Sequence, residues 1–493
     1  LGGGNFLARL IPALSGSLII LFPIFLQKKV GPLASVLFAV GLALDPLLVG
    51  ISRQVDGLSI AIGLAGLVLG FWYLRKDLIA GICLGFFLIS GPSAWLGLSL
   101  LALAVIINWL FLGEKKLIPA TQENNHLNWK LFLTGLGISL FAGGTLLMTT
   151  PTGISGAMEG MVAFLESWKT TREIPLSAAM VLMAIINYLL MPSLFAVGFV
   201  AKAFWFKNKQ ELRLAAWLLA VILFFLVYPG FEIRQLAWLA PFLWIMVAIE
   251  ISKLPLTKWT GPSILMMVVT LVMLVFVLIN LNTLVNNPEP LLRLSAIGIS
   301  LLIILLCGFL VWWGWSFEEA RRGLVLGVLI ILCGLTLTST WRSAGLNGKV
   351  NLEMITQSPA FVDADLMAIT ISDISEWNTG EREFIDVVLI GQEVPAIDWL
   401  LRDFVHYKKL SSITAGENPG IILARPDELI DQTEPYTGQE FTLREIPVWS
   451  GLTSRQWIGW LMRRDLSVNT EAILLWARSD LFPGATVPEK SEP

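Results

Sequence analysis

Residues 262–285 read PSILMMVVTLVMLVFVLINLNTLV, 24 positions without one charged side chain. At about 1.5 Å of helical rise per residue the run is about 36 Å long, enough to cross a hydrocarbon layer of about 30 Å. Apolar runs of this kind recur at 10–26, 32–51, 57–74, 78–91, 94–112, 131–150, 176–203, 214–229, 236–252, 294–315 and 323–341. The run at 78–91 is short and rich in glycine. Together they predict an α-helical polytopic membrane protein with about 12 spans. Composition agrees. The chain is 55% hydrophobic and 14% charged, with a mean hydropathy of +0.73, whereas soluble domains carry roughly 25% charged residues. Its 20 Trp and 27 Phe match the aromatic load of bilayer interfaces.

Basic residues set the expected orientation, because cytoplasmic loops retain them. Alternate loops hold Lys28 and Lys29; Arg75 and Lys76; Lys115, Lys116 and Lys130; Lys202, Lys207, Lys209 and Arg213; Lys253 and Lys258; Arg321 and Arg322. The opposite loops hold only Arg53, Lys169, Arg172, Arg234 and Arg293. This alternation places the chain after Thr340 outside the cytoplasm. Twelve spans that begin and end outside imply one further span ahead of Leu1 if the N-terminus was cytoplasmic. No basic n-region with a cleavage site follows Leu1, so no signal peptide is read.

From Arg342 to the end there are 13 Lys/Arg against 23 Asp/Glu, a net of −10; the preceding part carries 21 against 14, a net of +7. That shift divides the chain into a multi-span domain at 1–341, an extracytoplasmic α/β domain at 342–485 and a disordered tail at 486–493. Residues 383–391, 420–424 and 440–446 read as strands, and Pro395–Tyr407 and Ser454–Arg464 as helices. Alternating elements of this kind argue for a small α/β fold.

Chemistry is sparse. Cys83, Cys307 and Cys333 lie far apart in apolar runs, so neither a disulfide framework nor a structural metal is readable, and with His126 and His406 the only histidines histidine-based metal chemistry is nearly excluded. Walker, Rossmann, HExxH and GxSxG patterns are missing. Ionisable groups at span ends are therefore the informative ones. The outer end of the second run carries Asp45-Pro46 and then Ser52-Arg53-Gln54-Val55-Asp56. If helix continues there, Arg53 and Asp56 share a face; an interfacial ion pair and an anionic-substrate or metal site are both open readings. Asp45, deeper and beside a proline, reads as structural. Between two apolar helices Pro229-Gly230-Phe231-Glu232-Ile233-Arg234 is either a polar turn or a wall of the same site. Met158–Trp168 reads as a surface helix, and Arg9 as an interfacial arginine.

The string Asn5-Phe-Leu-Ala-Arg-Leu-Ile-Pro-Ala-Leu-Ser-Gly16, then Gly31-Pro-Leu-Ala-Ser35, then Leu44 through Arg53 with Asp56 resembles the start of the GT-C superfamily. These are polytopic glycosyltransferases using polyprenyl-phosphate-linked sugars, among them protein O-mannosyltransferases (family 39) and the aminoarabinose transferase of lipid A. Arg234 ahead of Leu239-Ala-Pro-Phe-Leu243, and the tail pieces Trp399–Phe404 and Trp476–Phe482, are also similar. The resemblance implies inverting sugar transfer: a carboxylate takes the proton of an acceptor hydroxyl while a lipid phosphate departs. By this analogy Arg53 and Arg234 hold the phosphate, since a planar guanidinium matches phosphate oxygens. Asp56 orients the acceptor or binds a divalent metal, with Glu232 as a second acidic ligand. The family's catalytic aspartate belongs to an outer loop ahead of the part that Leu1 begins.

The implied partners are a polyprenyl-phosphate-linked sugar, a protein, lipid or glycan acceptor, and the bilayer of a bacterial or archaeal cytoplasmic membrane. No nucleic acid is expected. The tail would select acceptors or cover the site. Two other classes stay open: a transporter or flippase-associated protein, which would carry mid-span charges and matched broken helices, and a non-catalytic anchor displaying the tail.

Overall fold

The computed structural model describes residues 5–112, 128–150, 155–169, 177–206, 209–254, 259–285, 290–346, 352–356, 360–391, 394–412, 418–426, 428 and 435–482. Lys115, Lys116, His126, Arg172, Lys207, Lys258, most of the loop after Thr150 and the tail at 486–493 lie outside these residues. The chain divides into two compact units. The first comprises Leu1–Gly348, Glu353–Thr356 and Thr453–Arg463; the second comprises Lys349–Leu352, Gln357–Leu452 and Arg464–Pro493.

The first unit is helical. A continuous stretch, Phe6–Val30, joins α1 (Asn5–Leu18), a 3-10 turn and α2 (Phe22–Val30). Gly31 at φ 92° ends it, and Pro32 at the first helical position starts α3 (Pro32–Ala43). Then follow α4 (Pro46–Ser52), α5 (Gly57–Tyr73), α6 (Asp77–Ile89), α7 (Pro92–Leu112), α8 (Trp129–Ile138), α9 (Ser155–Glu166), α10 (Ala178–Tyr188), α11 (Leu190–Phe206) and α12 (Lys209–Val227). A 3-10 segment, Ile233–Leu239, leads into α13 (Ala240–Ser252), and three long helices close the set: α14 (Gly261–Leu284), α15 (Pro290–Gly314) and α16 (Phe317–Ser343).

The twelve expected spans are not found. Among the described residues five helical stretches are long and apolar enough to cross a membrane: Phe6–Val30, Ile233–Ser252, Gly261–Leu284, Pro290–Gly314 and Phe317–Ser343. Counting each of two bent pairs as one span raises the number to seven. The pairs are α3 with α4, bent by 52°, and α10 with α11, bent by 98°. The reason is geometric. An apolar run counts residues, whereas crossing needs unbroken rise; the 13 residues of α6 climb only about 20 Å. Likewise the run at 131–150 becomes α8, a π segment Ser139–Gly143 and a turn. The parity argument that put both ends of the run of spans outside falls with the count. What remains is a multi-pass membrane unit.

Its packing follows from small residues. On α16, Gly323 and Gly327 face α14: a Cβ on Gly323 would sit 2.4 Å from the Ser263 carbonyl oxygen, and one on Gly327 2.7 Å from Thr270 Cβ. This is the small-xxx-small contact by which membrane helices approach backbone to backbone. Met266, Ile304, Val311 and Ala320 fill the space among α14, α15 and α16.

Asp45 makes the break between α3 and α4 possible. Its Oδ1 accepts the N–H groups of Leu47 and Leu48 at 3.0 Å, capping α4, and its Oδ2 accepts the Trp244 indole N–H at 2.8 Å. The residue is fully buried. Asp45→Ala would strand these donors inside the protein, so we expect a loss of about 2–4 kcal/mol, read as a lower unfolding temperature in detergent. An unchanged temperature would show that the break does not need the carboxylate.

The second unit is a six-stranded mixed sheet in the order β1-β5-β6-β4-β2-β3. Its strands are β1 (Ala360–Phe361), β2 (Val387–Ile390), β3 (Tyr407–Leu410), β4 (Ile421–Ala424), β5 (Tyr436–Pro447) and β6 (Val468–Arg478). β2 pairs in parallel with β3 and β4; the other pairings are antiparallel. β2 and β4 are buried at every position, which is why they read as unbroken apolar runs. α17 (Ala364–Thr379) ends at Gly380 in the left-handed region and packs Met367, Ile371 and Ile374 against Val387, Leu389 and Leu475. α18 (Pro395–Leu400) makes the β2–β3 crossover and is shorter than expected, because the chain turns at 401–406 into β3. α19 (Ser454–Arg463), between β5 and β6 in sequence, groups with the first unit.

Candidate active site

Two turns of the membrane unit build the site. α4 stops at Ser52, and the Arg53 N–H bonds to the carbonyls of Gly50 and Ile51. Asp56 then enters α5 in an extended conformation (φ −145°, ψ 148°), and its side chain makes no cap bond to the helix. Instead it accepts a hydrogen bond from Arg234 Nη1 at 2.5 Å, with the two side chains only 13% and 14% exposed.

From the other turn, Glu232 opens the 3-10 segment with a reciprocal cap: its carboxylate takes the Gln235 N–H while the Gln235 side chain takes the Glu232 N–H. Arg234 Nε also donates to Glu232 Oε2. One guanidinium therefore bridges two carboxylates on different turns, Arg234 reaching Asp56 across 178 positions of the chain. Bridging of this kind uses the fixed fork of arginine and holds the planar group in one orientation.

Arg53 stands apart. Helix does not continue past Ser52, so the shared face with Asp56 does not form. Its side chain is exposed and makes no hydrogen bond or ion pair among the described residues. The site thus holds a bound cation, Arg234, between carboxylates, and an unoccupied one, Arg53, three residues from Asp56.

Aromatic packing fixes the second turn. Phe164 and Trp168, in and just after α9, stack against Tyr228 with centroids 5.8 and 5.2 Å apart, and Ser167 Oγ hydrogen-bonds the Tyr228 hydroxyl at 2.6 Å. The stretch expected to lie on the membrane surface is therefore helical and supports the 229–235 turn.

Three features escaped the sequence reading. Tyr188 donates to buried Glu353 at 2.6 Å and accepts the Met354 N–H, and Gln54 donates to the Ile355 carbonyl at 3.1 Å. Residues 353–356 are thereby tied beside α4. The third is a cavity of about 600 Å³ along α5, α12 and α13, lined by Ile62 to Tyr73 and by Trp238 to Lys253. Arg53, Asp56, Glu232 and Arg234 are not among its lining residues. No sequence periodicity marks such a space.

For a metal, Asp56 and Glu232 are the expected donors, and a guanidinium already fills the space between them. A divalent cation would have to displace Arg234 from both. Among the described residues no three His, Cys, Asp or Glu side chains gather where they could hold a metal ion.

No protein-family model matches the chain, and no curated protein matches it by sequence. Solved structures do. ArnT from Cupriavidus metallidurans bound to undecaprenyl phosphate superposes with a TM-score of 0.52 at 13% identity, covering 99% of this chain and 86% of that one. The same protein in the apo state gives 0.49 at 13% identity, covering 96% and 84%. The chain shares the ArnT fold.

Proposed function

We propose that this protein is a membrane glycosyltransferase that moves a sugar from a polyprenyl-phosphate carrier to an acceptor hydroxyl with inversion, on the extracytoplasmic side. The observation that carries the reading is the Arg234 bridge between Asp56 and Glu232, beside an exposed Arg53 that has no partner among the described residues. The fold shared with a protein crystallised with undecaprenyl phosphate supports it. So does the scarcity of basic residues in the two turns, against Lys28, Lys29, Arg75, Lys76 and Lys253 at other helix ends.

In this mechanism Arg53 meets the incoming lipid phosphate first, since it gives up no partner to do so. A phosphate then competes with Asp56 and Glu232 for Arg234. As the guanidinium turns toward the phosphate, Asp56 is released to accept a hydrogen bond from the acceptor hydroxyl and to orient its oxygen toward the anomeric carbon. The acceptor proton passes to a carboxylate as the new C–O bond forms, and the old C–O bond breaks with its electron pair going to the lipid phosphate. Both arginines stabilise the charge that develops there, which is where preorganised cations act most strongly.

A transporter would exploit the helix break at Asp45. Both oxygens of that carboxylate are already engaged by amides and an indole, which leaves it ill suited to ion coupling.

Transfer from a radiolabelled polyprenyl-phosphate sugar in proteoliposomes tests the proposal. Arg53→Ala is expected to lower the rate by about 10²-fold with expression and unfolding temperature unchanged, because its side chain is exposed and makes no hydrogen bond or ion pair among the described residues. A variant within twofold of the parent would remove the phosphate role assigned to Arg53.

A further inference from the structure

The cavity along α5 and α13 has one polar end, and it is the end remote from the candidate active site. Between Ile62 and Tyr73 on α5 it extends for about 17 Å, roughly the depth that one acyl chain reaches into a leaflet of a bilayer with a core of about 30 Å. Its wall is aliphatic and aromatic except where Lys29, Glu211, Arg213 and Lys253 line it. Lys253 Nζ lies 3.3 Å from Glu211 and 3.0 Å from Glu250, which also takes Lys202 at 3.1 Å. Lys29, Arg213 and Lys253 thus bring three cations to this end of the cavity, beside the single carboxylate of Glu211 in its lining. Lys29 is exposed.

One turn inward from Arg213 on the same face of α12, Trp217 lines the cavity and stacks edge-on with Phe242 at 6.3 Å. Its indole Nε1 is buried without a hydrogen-bond partner among the described residues. A buried N–H left unpaired is costly, so an acceptor placed there is held. The offset of one turn, about 5–6 Å along the helix, is where a glycerophospholipid carries its ester carbonyls below the phosphate.

The geometry points to a binding site for an anionic glycerophospholipid: its phosphate lies against Lys29, Arg213 and Lys253, an ester carbonyl accepts the Trp217 indole N–H, and one acyl chain fills the cavity. Charge selects an acidic head group, and the indole selects a lipid with a carbonyl over a polyprenyl phosphate, which has none. The site is separate from the Asp56–Arg234 centre and stands whether or not that centre transfers sugar.

Native mass spectrometry of the full-length protein, released from detergent and titrated with palmitoyl-oleoyl phosphatidylglycerol, tests it. One tightly held lipid per chain is expected, with phosphatidylcholine at least tenfold weaker and inorganic phosphate unable to displace it. Lys29→Glu should weaken phosphatidylglycerol about tenfold, with the unfolding temperature of the lipid-free protein as the check that the fold is kept. Trp217→Phe should weaken it about fivefold while leaving undecaprenyl phosphate binding unchanged. Equal affinity for phosphatidylcholine, displacement by inorganic phosphate, or indifference to Lys29→Glu would each overturn the assignment. Trp217→Phe that binds phosphatidylglycerol like the parent would overturn the carbonyl contact and with it the choice of glycerolipid.

Discussion

Arg234→Ala should lower sugar transfer by about 10³-fold or more, equivalent to about 4 kcal/mol of transition-state stabilisation. The parent holds one guanidinium between Asp56 and Glu232, 13% exposed, and the proposed reaction asks that group to move to a departing phosphate. Alanine removes the cation and leaves two carboxylates facing the site, so phosphate binding now meets repulsion as well as a missing partner. Lysine is an informative control. It restores the charge but not the fork, and cannot bridge two carboxylates and a phosphate in sequence; recovery of only a small part of the rate is expected. A double-mutant cycle with Asp56→Asn separates the roles: if Asp56 acts only by holding Arg234, the asparagine change should cost little once Arg234 is gone. The proposal fails if purified Arg234→Ala, folded and inserted, transfers sugar within tenfold of the parent.

The candidate site was legible in part. Arg53, Asp56, Glu232 and Arg234 could be picked out because charge at the end of an apolar run is costly and so is rarely idle. That Arg234 reaches Asp56 across 178 positions is a property of how α4, α5 and the 3-10 segment pack, and local spacing carries no trace of it. The one geometric inference drawn from spacing, a shared helical face for Arg53 and Asp56, failed because α4 ends at Ser52.

The fold shows the same division. β2 and β4 were legible because strands buried on both faces must be continuously apolar. The spans were overcounted because apolar content does not reveal where a helix breaks: the 98° turn at Leu189 falls three residues ahead of Pro192, whose ring and missing N–H oppose a helix continuing through Tyr188, yet a proline within an apolar run does not by itself distinguish a kink from a turn of the chain. A break at Asp45-Pro46 had its proline in view, but the bend also needed a buried carboxylate whose indole partner, Trp244, is 199 positions away.

Deleting residues 345–493 should unfold the membrane unit, although composition alone would mark that cut as a clean domain boundary. Two pieces of the deleted stretch belong to the first unit. Residues 353–356 supply buried Glu353 to Tyr188, the Ile355 carbonyl to Gln54, and the Ile355 side chain to the surface at Gly50, where a Cβ would come within 2.1 Å of it. α19 supplies Trp457 and Trp460, 5% and 0% exposed. Its last carbonyls, at Leu461 and Met462, accept the Arg342 guanidinium, and Arg463 donates to Asn282. Losing a buried tryptophan costs about 3–5 kcal/mol, and two of them approach the roughly 5–15 kcal/mol that holds a typical domain together. The truncated chain should therefore aggregate on size exclusion or melt far below the parent. A second variant decides whether those two pieces are the cause. It keeps 353–356 and 453–463, joins them by a flexible glycine-serine linker and ends after Arg463; it should run as a single species and melt near the parent. If both variants behave alike, whether folded or not, the two pieces add nothing to the membrane unit, and the boundary near residue 342 suggested by the change in charge is the physical one.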